Sequence, residues 1–341
     1  MKVLTFIIPA YNSEKYLDKC IPSMLAPEVL DKLEIIVVND GSTDATAAAA
    51  EKYCAQYPET VRLISQENKG HGGALNTGCA AAQGKFLKVI DADDWVETRN
   101  LPEFVQLLEQ CDSDVVLTHH NTIDISTGEV KNWRSYPEQF GKAYIFAQIM
   151  ADWRSFDRSL TFHGITYRTD FYREYGIALS EHVFYEDHEY ATYPCCHARS
   201  VTPFDLFLYQ YRIGDVNQSV SNANQLKRLG HTEAVIARMI GEYRKLPESE
   251  GKRYAAMKIQ GLLLSYMTTA LLVDPDKKEG RRLAGRLMAQ CRENAPEVYG
   301  LAKRKYQVFC VMNRLHIGKR TWDAVLHSSI YNTLRKNHSF E

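Results

Sequence analysis

The feature that most constrains the fold is an alternation of apolar strands and helical segments in the first third of the chain. Five short β-prone apolar runs lie there, at residues 3–8, 33–38, 61–64, 86–90 and 114–117. Unbroken apolar runs are typical of parallel strands that are buried on both faces. Helical patterns separate the runs, and this alternation predicts a doubly wound parallel sheet.

Carboxylates follow the fourth of these runs directly. Residues 86–90 lead into Asp91, Asp93 and Asp94, and the small Ala92 stands between the first two acids. Open α/β sheets bind ligands at the carboxyl ends of their strands, and Mg²⁺ and Mn²⁺ prefer oxygen ligands. The acids are therefore candidates for a cation that holds a diphosphate. A loop of solvated acids that caps the next helix is the alternative.

Polar residues also follow the first and second strands. Tyr11 and Asn12 come after the first, and Asp40 comes after the second. Such strand ends line one crevice where the strand order of the sheet reverses. The glycine-rich stretch 70–73 after the third strand lacks the last glycine of a dinucleotide fingerprint. We expect it to be a turn that brings the backbone close to a ligand or to the sheet, followed by a helix over residues 74–82.

The second half of the chain contains another acidic cluster and then a helical region. Glu186 and Asp187 stand at a predicted helix start, where acids also compensate the helix dipole. From Gln225 onward the pattern is helical. The stretch 300–341 is rich in Lys and Arg, which is typical either of an amphipathic segment on an anionic membrane or of a solvated helical face.

Composition limits the classes of protein. The chain has 41 Lys and Arg against 42 Asp and Glu, so its net charge does not indicate nucleic-acid binding. Its eight cysteines form no Cys-x-x-Cys pair, which is typical of reduced thiols in a cytoplasmic protein. The longest apolar run, residues 261–273, is interrupted by polar residues and is shorter than a membrane span. We expect a cytoplasmic protein, with peripheral contact to the inner face of the membrane and oligomer formation as alternatives.

Four motifs, taken in order, resemble the family 2 glycosyltransferases of bacterial type, which have the GT-A fold. They are Ile7–Asn12, Val37–Asp44, Asp91–Asp94 and Glu186–Asp187. The resemblance covers about residues 1–220. It implies a GT-A, Rossmann-like doubly wound mixed sheet, with a nucleotide-sugar-binding and catalytic domain over residues 1–222. Residues 223–341 would form a helical region with an acceptor, oligomer or membrane-surface role.

The resemblance also implies roles for residues at the donor site. Pro9 and Tyr11 would border the nucleotide base, and Asp40 would accept a hydrogen bond from the uracil edge. Asp91 and Ala92 would lie against the nucleotide, with Asp91 facing the ribose.

Metal binding and catalysis are assigned in the same way. Asp93, with Asp91, would bind a Mg²⁺ or Mn²⁺ ion that bridges the diphosphate. Asp187 would be the general base, with Glu186 as the alternative. A single base and an in-line displacement imply inversion at the anomeric carbon.

One departure from the family pattern concerns the positive charge near the nucleotide. The family often has Ala-Arg-Asn after the third strand, whereas this chain has Leu75 in the place of the arginine. Lys69 or His71 could supply the missing charge. His71, His163 and Arg212 are candidates for contact with the diphosphate or the acceptor, Arg212 from a mobile loop.

The sequence therefore predicts an inverting, divalent-metal-dependent glycosyltransferase of the hexosyltransferase type. Its donor would be a nucleotide diphosphate sugar, with UDP as the expected nucleotide. Its acceptor would be a hydroxyl of a glycan or lipid-linked molecule in cell-surface polysaccharide synthesis. A non-catalytic nucleotide-sugar binding module is the alternative, and a dinucleotide-dependent oxidoreductase is a weaker one because the glycine fingerprint is broken.

Overall fold

The computed structural model of the protein describes residues 2–214 and 222–326, and the chain divides into two compact units. The first unit comprises residues 1–218 and 246–255, and the second comprises residues 219–245 and 256–341. Residues 246–255, which the sequence analysis placed in the C-terminal region, belong to the first unit. Tyr254 in this stretch is fully buried, and its hydroxyl donates to the carbonyl of Ala191 at 2.7 Å.

A nine-stranded mixed sheet forms the centre of the first unit. Its strands are β1 (Leu4–Ala10), β2 (Leu33–Asp40), β3 (Val61–Gln66), β4 (Phe86–Val89), β5 (Trp95–Val96), β6 (Val115–Asp124), β7 (Val130–Trp133), β8 (Ile165–Arg168) and β9 (Val201–Ile213). The strand order is β3-β2-β1-β4-β8-β6-β9-β5, and β7 pairs with β6. The order reverses beside β1, which is the place where ligands bind in doubly wound sheets.

Helices accompany these strands in the first unit. They are α1 (Glu14–Ser23), α2 (Thr46–Gln56), α3 (Gly70–Ala81), α4 (Leu101–Gln110), α5 (Phe146–Ala151), α6 (Trp153–Phe156), α7 (Thr169–Tyr175) and α8 (Asp187–Tyr190). Phe6 and Ile8 of β1 belong to one hydrophobic cluster, and Ile7 between them belongs to another. Because successive side chains of a strand point to opposite faces, the sheet is covered on both faces.

The prediction of a purely parallel sheet is wrong beyond β4. Strands β1 to β4 are parallel, but β8 lies between β4 and β6 and is antiparallel to both. The chain between β6 and β8 contains the β6–β7 hairpin and two short helices, and it returns in the opposite direction. The mixed sheet implied by the family resemblance is confirmed.

Helix α3 begins earlier than the sequence predicted. Its first turn contains the glycine-rich stretch, which we expected to be a turn before a helix starting at Ala74. A Cβ atom at Gly72 would collide with the carbonyl of Ser180 and lie 2.9 Å from Cγ of Glu186. A Cβ atom at Gly78 would collide with the side chain of Ile7. The absence of side chains thus lets α3 pack tightly against β1 and against the segment that precedes α8.

The remaining helices follow β9. They are α9 (Asn222–Lys227), α10 (Leu229–Tyr243), α11 (Glu250–Thr268), a π-helical turn (Thr269–Val273), α12 (Lys277–Asn294), α13 (Pro296–Arg314) and α14 (Lys319–Leu326). In the second unit α12 packs on α13 and on α10. Arg286 of α12 forms an ion pair of 2.7 Å with Glu233 of α10. The predicted helical C-terminal region is confirmed.

One helical stretch among the described residues is long and apolar enough to cross a membrane. It covers residues 250–273; its most apolar 18-residue window has a mean hydropathy of 1.3, and 56% of that window is buried inside the protein. The expectation that no apolar run reaches this length is wrong, because the helix that contains residues 261–273 begins at Glu250 and an 18-residue window of it is apolar enough. The core helix of a folded unit has the same length and burial, so the stretch does not by itself indicate a membrane span.

Candidate active site

The carboxylates after β4 lie together at the edge of the sheet. Residues 91–94 form a tight turn, closed by a 3.0 Å hydrogen bond from the Asp94 amide to the Asp91 carbonyl. Candidate ligand oxygens of Asp91, Asp93 and Asp94 all lie within 4.8 Å of one another. This spacing would allow one divalent cation to contact two or more of them.

Burial and neighbouring carboxylates raise the pKa values of Asp93 and Asp94. Burial, followed by the charge of Asp91, raises the pKa of Asp93 to about 6. Burial, followed by the charges of Asp93 and Asp91, raises the pKa of Asp94 well above its ordinary value. Negative charge is therefore crowded here, and a divalent cation would relieve it. The residues fit such an ion.

Asp94 differs from the other two acids because β9 already binds it. It is only 1% exposed. It accepts hydrogen bonds from the Tyr209 hydroxyl at 2.6 Å and from the Arg212 amide at 2.7 Å. The Tyr209 oxygen also accepts from the Asp91 amide at 3.2 Å. Asp94 and Tyr209 thus fix the turn, and the half-buried Asp91 and Asp93 are the better candidates for metal ligands.

His71, in the first turn of α3, connects the turn to the second acidic cluster. Its Nε2 lies 2.9 Å from an oxygen of Asp91, and its Nδ1 lies 2.5 Å from an oxygen of Glu186. Burial by itself lowers the pKa of His71, but Asp91 and Glu186 outweigh it and raise the pKa well above its ordinary value. The protonated ring donates to both carboxylates. His71, a predicted contact to the diphosphate or the acceptor, therefore has a protein partner at each of its two ring nitrogens.

The two predicted catalytic acids have different surroundings. Glu186 is 3% exposed and is bound to His71. Asp187, the first residue of α8, is half-buried, and its carboxylate accepts no hydrogen bond from the residues that the structure describes. Glu189 accepts two hydrogen bonds from Ser180, which ties α8 to the preceding segment.

The backbone before these acids is unusual. Tyr185, directly before Glu186, has a φ of +76°. This value lies in the left-handed region, which residues other than Gly rarely adopt. Such conformations persist only where the surrounding structure enforces them, and they cluster at functional sites.

The residues predicted to bind the nucleotide lie at the ends of β1 and β2. Pro9 is buried in β1, and Tyr11 just beyond it is 53% exposed. Asp40 is 2% exposed, and one of its oxygens accepts from Gln66 at 2.6 Å and from the Lys69 amide at 2.9 Å. The side chain of Lys69 is exposed. Ala92 is buried in the acidic turn. That these five residues bind the nucleotide stays a prediction.

The last two predicted contact residues lie near the acids. The prediction that Arg212 lies in a mobile loop is wrong, because β9 continues to Ile213 and includes it. The positive charge of Arg212 lowers the pKa of Asp93, against the effect of burial. His163 stacks on Tyr211 with ring centroids 4.4 Å apart. Burial lowers the pKa of His163 to about 4, so its ring is neutral at pH 7.

The sequence analysis assigned no role in the site to Tyr209, His120 or Trp133. Tyr209 holds two of the acids, and His120 and Trp133 stack on each other near His163. A signal in the sequence that points toward Tyr209 is the aromatic richness of β9, which also contains Phe204, Phe207 and Tyr211. Residues that meet only through strand pairing leave no local pattern in the sequence.

Comparison with known proteins identifies the class. The family model described as glycosyl transferase family 2 matches residues 5–176, just over half of the chain. The chain therefore belongs to family 2 of the glycosyltransferases, and the resemblance seen in its motifs is confirmed.

Individual proteins agree with this assignment. EpsH of Bacillus subtilis is 31% identical over 218 residues, which are 62% of this chain and 60% of EpsH. Chondroitin synthase of Escherichia coli is 33% identical over 159 residues, 45% of this chain and 22% of that protein. The chain thus spans less than two thirds of these relatives.

A solved structure shows the same fold. Residues 1–349 of TarS from S. aureus, in complex with UDP-GlcNAc, superpose with a TM-score of 0.63 at 18% identity. The match covers 92% of each chain. The predicted GT-A fold is confirmed.

Proposed function

We propose that the protein transfers a sugar from a nucleotide diphosphate sugar, with UDP as the nucleotide, to a hydroxyl of a glycan or lipid-linked acceptor, with inversion. The observation that carries the proposal is that His71 binds one carboxylate from each of two acidic sites. The Asp91/Asp93 turn lies on one side of His71, and the Glu186–Asp187 pair lies on the other. The TarS structure with UDP-GlcNAc supports the choice of donor, and chondroitin synthase supports a role in cell-surface polysaccharide synthesis.

The donor side uses the carboxylates after β4. Asp93 and Asp91 would hold Mg²⁺ or Mn²⁺, which would neutralise the charge that the leaving diphosphate gains. Tyr209 and Asp94 keep the turn in place, so that little reorganisation is needed when the donor binds. Arg212 adds positive charge close to Asp93.

The acceptor side uses the second acidic pair. Asp187, whose carboxylate has no hydrogen-bond donor among the described side chains, would take the proton of the attacking hydroxyl. Glu186, buried and bound to His71, would position the segment rather than react. Attack opposite the diphosphate on an oxocarbenium-like centre inverts the configuration.

Thermal unfolding of the protein tests the class of donor. We expect UDP with Mn²⁺ to raise the Tm by several degrees, since a ligand at about 100 times its Kd stabilises a protein by ~2.7 kcal/mol. We expect UDP alone and Mn²⁺ alone to have much smaller effects. A rise with NAD but not with UDP would support the oxidoreductase alternative. A donor that stabilises the protein but is never turned over with any acceptor would support a binding module.

We also propose that helix α13 contacts an anionic membrane surface. Leu301, Val308 and Val311 of the helix, and Leu315 directly after it, lie along one side and are 46%, 47%, 53% and 65% exposed. Exposed basic residues accompany this apolar stripe: Arg304 lies within it and Lys305 lies beside it. A combination of exposed apolar and basic side chains on one side of a helix matches an anionic lipid surface. Part of the basic segment predicted from the sequence, residues 327–341, lies outside the described residues.

Sedimentation with lipid vesicles tests the membrane contact. We expect binding to vesicles that contain phosphatidylglycerol and weak binding to pure phosphatidylcholine. The double variant Val308→Gln/Val311→Gln should bind about 30-fold more weakly, because it loses apolar burial of ~1 kcal/mol at each position. Val130→Gln is a matched control, since Val130 is 53% exposed on β7 in the first unit. If the double variant binds vesicles as tightly as the parent protein does, the membrane proposal is wrong. If the parent protein is a dimer and the double variant is a monomer, the stripe serves oligomer formation instead.

A further inference from the structure

A cavity of about 330 Å³ lies beside the candidate active site, and neither donor binding nor proton transfer accounts for it. Strand residues of its lining are His120 and Thr122 of β6, Trp133 of β7 and Tyr211 of β9. Thr161 and His163, from the segment before β8, also line it. Pockets for small ligands have volumes of about 300–1,000 Å³ and combine aromatic walls with a few polar groups. The cavity is thus large enough for one sugar ring.

One wall of the cavity is a continuous row of four rings. Trp133 is parallel to His120, with centroids 5.9 Å apart, and His120 lies 5.0 Å from His163. His163 in turn stacks on Tyr211 at 4.4 Å. The Trp133 Nε1–H donates to the Thr122 hydroxyl at 2.8 Å, which fixes the outer end of the row. The wall is therefore rigid and mainly apolar.

Two buried polar atoms of the lining find no hydrogen-bond partner among the described residues. They are Nδ1 of His120 and the hydroxyl oxygen of Thr161. His120 is only 5% exposed, and leaving a buried polar group without a partner is unfavourable. Ligand hydroxyls could supply the missing hydrogen bonds.

The cavity shares His163 and Tyr211 with the surroundings of the acids. The charges of Asp91 and Asp187 both act on the pKa of His163. The His163 ring also contacts Tyr209 edge-on at 4.9 Å, and Tyr209 binds Asp94. A ligand in the cavity therefore lies next to the crevice in which the transfer would occur.

We propose that this cavity binds a sugar ring of the acceptor and so makes the acceptor a saccharide. The inference rests on the proposed function and names the substrate class that uses the acceptor side. A pyranose presents apolar C–H faces together with hydroxyls, which match an aromatic wall with a few unpartnered polar atoms. Among the described residues of the lining Arg158 is the one cation, and the neighbouring Asp157 is an acid, which is a poor match for a phosphate-rich polymer.

The test compares Trp133→Ala with Tyr136→Ala. Trp133 lines the cavity, whereas Tyr136 is 62% exposed in the same segment and does not line it. Saturation-transfer NMR measures binding of methyl glycosides of glucose, galactose, N-acetylglucosamine and glucuronic acid, with glycerol phosphate as the competing chemistry. We expect at least one glycoside to bind, Trp133→Ala to weaken its binding about tenfold, and Tyr136→Ala to bind as the parent protein does.

The conservative variant Thr161→Ser extends the test. It retains the hydroxyl and should bind the glycoside within about twofold of the parent protein, whereas Thr161→Val should bind several-fold more weakly. The stabilisation by UDP and Mn²⁺, measured on each variant, shows whether the donor site is intact. If only glycerol phosphate binds, or if Trp133→Ala leaves both glycoside binding and the KM for a saccharide acceptor unchanged, the proposal is wrong.

These results separate the cavity from the proposed function. Glycoside binding needs no donor and no turnover, so it can succeed even if the protein transfers no sugar. Conversely, sugar transfer in which Trp133→Ala changes neither glycoside binding nor the acceptor KM would retain the proposed function and overturn the cavity proposal.

Discussion

Replacing Asp187 with Asn is expected to lower kcat for sugar transfer by about 10²–10⁴-fold, the contribution of a general base. Asn has nearly the same size, and the Asp187 carboxylate accepts no hydrogen bond from the described part of the chain, so the fold should not suffer. The KM for the donor should change little, because Asp187 lies on the acceptor side. Initial-rate kinetics with the donor identified by thermal unfolding measures both quantities.

Glu186→Gln is the matched control for this prediction. Gln keeps an oxygen that can accept a hydrogen bond from His71 but removes the charge, so we expect a smaller fall in kcat and a pH profile of altered shape. If Asp187→Asn keeps activity within about tenfold and Glu186→Gln loses it, the assignment of the base must be reversed.

Replacing Asp93 with Asn should abolish the joint stabilisation by UDP and Mn²⁺ and lower transfer by at least about 100-fold. A cation that neutralises a leaving group contributes several kcal/mol to the transition state, and 2.7 kcal/mol corresponds to about 100-fold. Thermal unfolding and initial rates with and without Mn²⁺ measure the two effects. Asp112→Asn is the matched control, because the Asp112 side chain is 91% exposed.

The same substitution should leave the metal-free protein as stable as before or more stable. Burial and Asp91 raise the pKa of Asp93 to about 6 in the folded state, above its ordinary value of 3.8. The folded state therefore binds this proton more tightly than the unfolded state, and ionisation of Asp93 destabilises the fold as the pH rises through 6. Asn removes this cost at pH 7.5. A lower Tm without metal, together with an unchanged response to Mn²⁺, would place the ion elsewhere.

The strand pattern of the first third of the chain was predictable because it is local. Continuous apolar runs located β1 to β4, and the acids after β4 followed from their position at a strand end. The place of β8 between β4 and β6 was not predictable, since strand order depends on pairings between distant segments. The early start of α3 was missed because Gly has a low helix propensity, which tight packing at Gly72 and Gly78 overrides.

The site was predictable only as far as single motifs reach. Asp91, Asp93 and the Glu186–Asp187 pair stand in recognisable segments, and their chemistry could be inferred from residue type. The bond from Tyr209 to Asp94 and the row of rings around His163 arise from contacts between β6, β7, β9 and the segment before β8. Such contacts join residues far apart in the chain, and neither the spacing of motifs nor the composition predicts them.

The imidazolium that bridges Asp91 and Glu186 has an evolutionary consequence. It is one positive charge held between two negative ones, so losing it alone would leave two acids facing each other in a half-buried crevice. Relatives without a histidine at this position should therefore carry a compensating change: a neutral residue in place of one acid, or a cationic side chain reaching in from another segment. The residues at positions 71, 91 and 186 should therefore covary across the family.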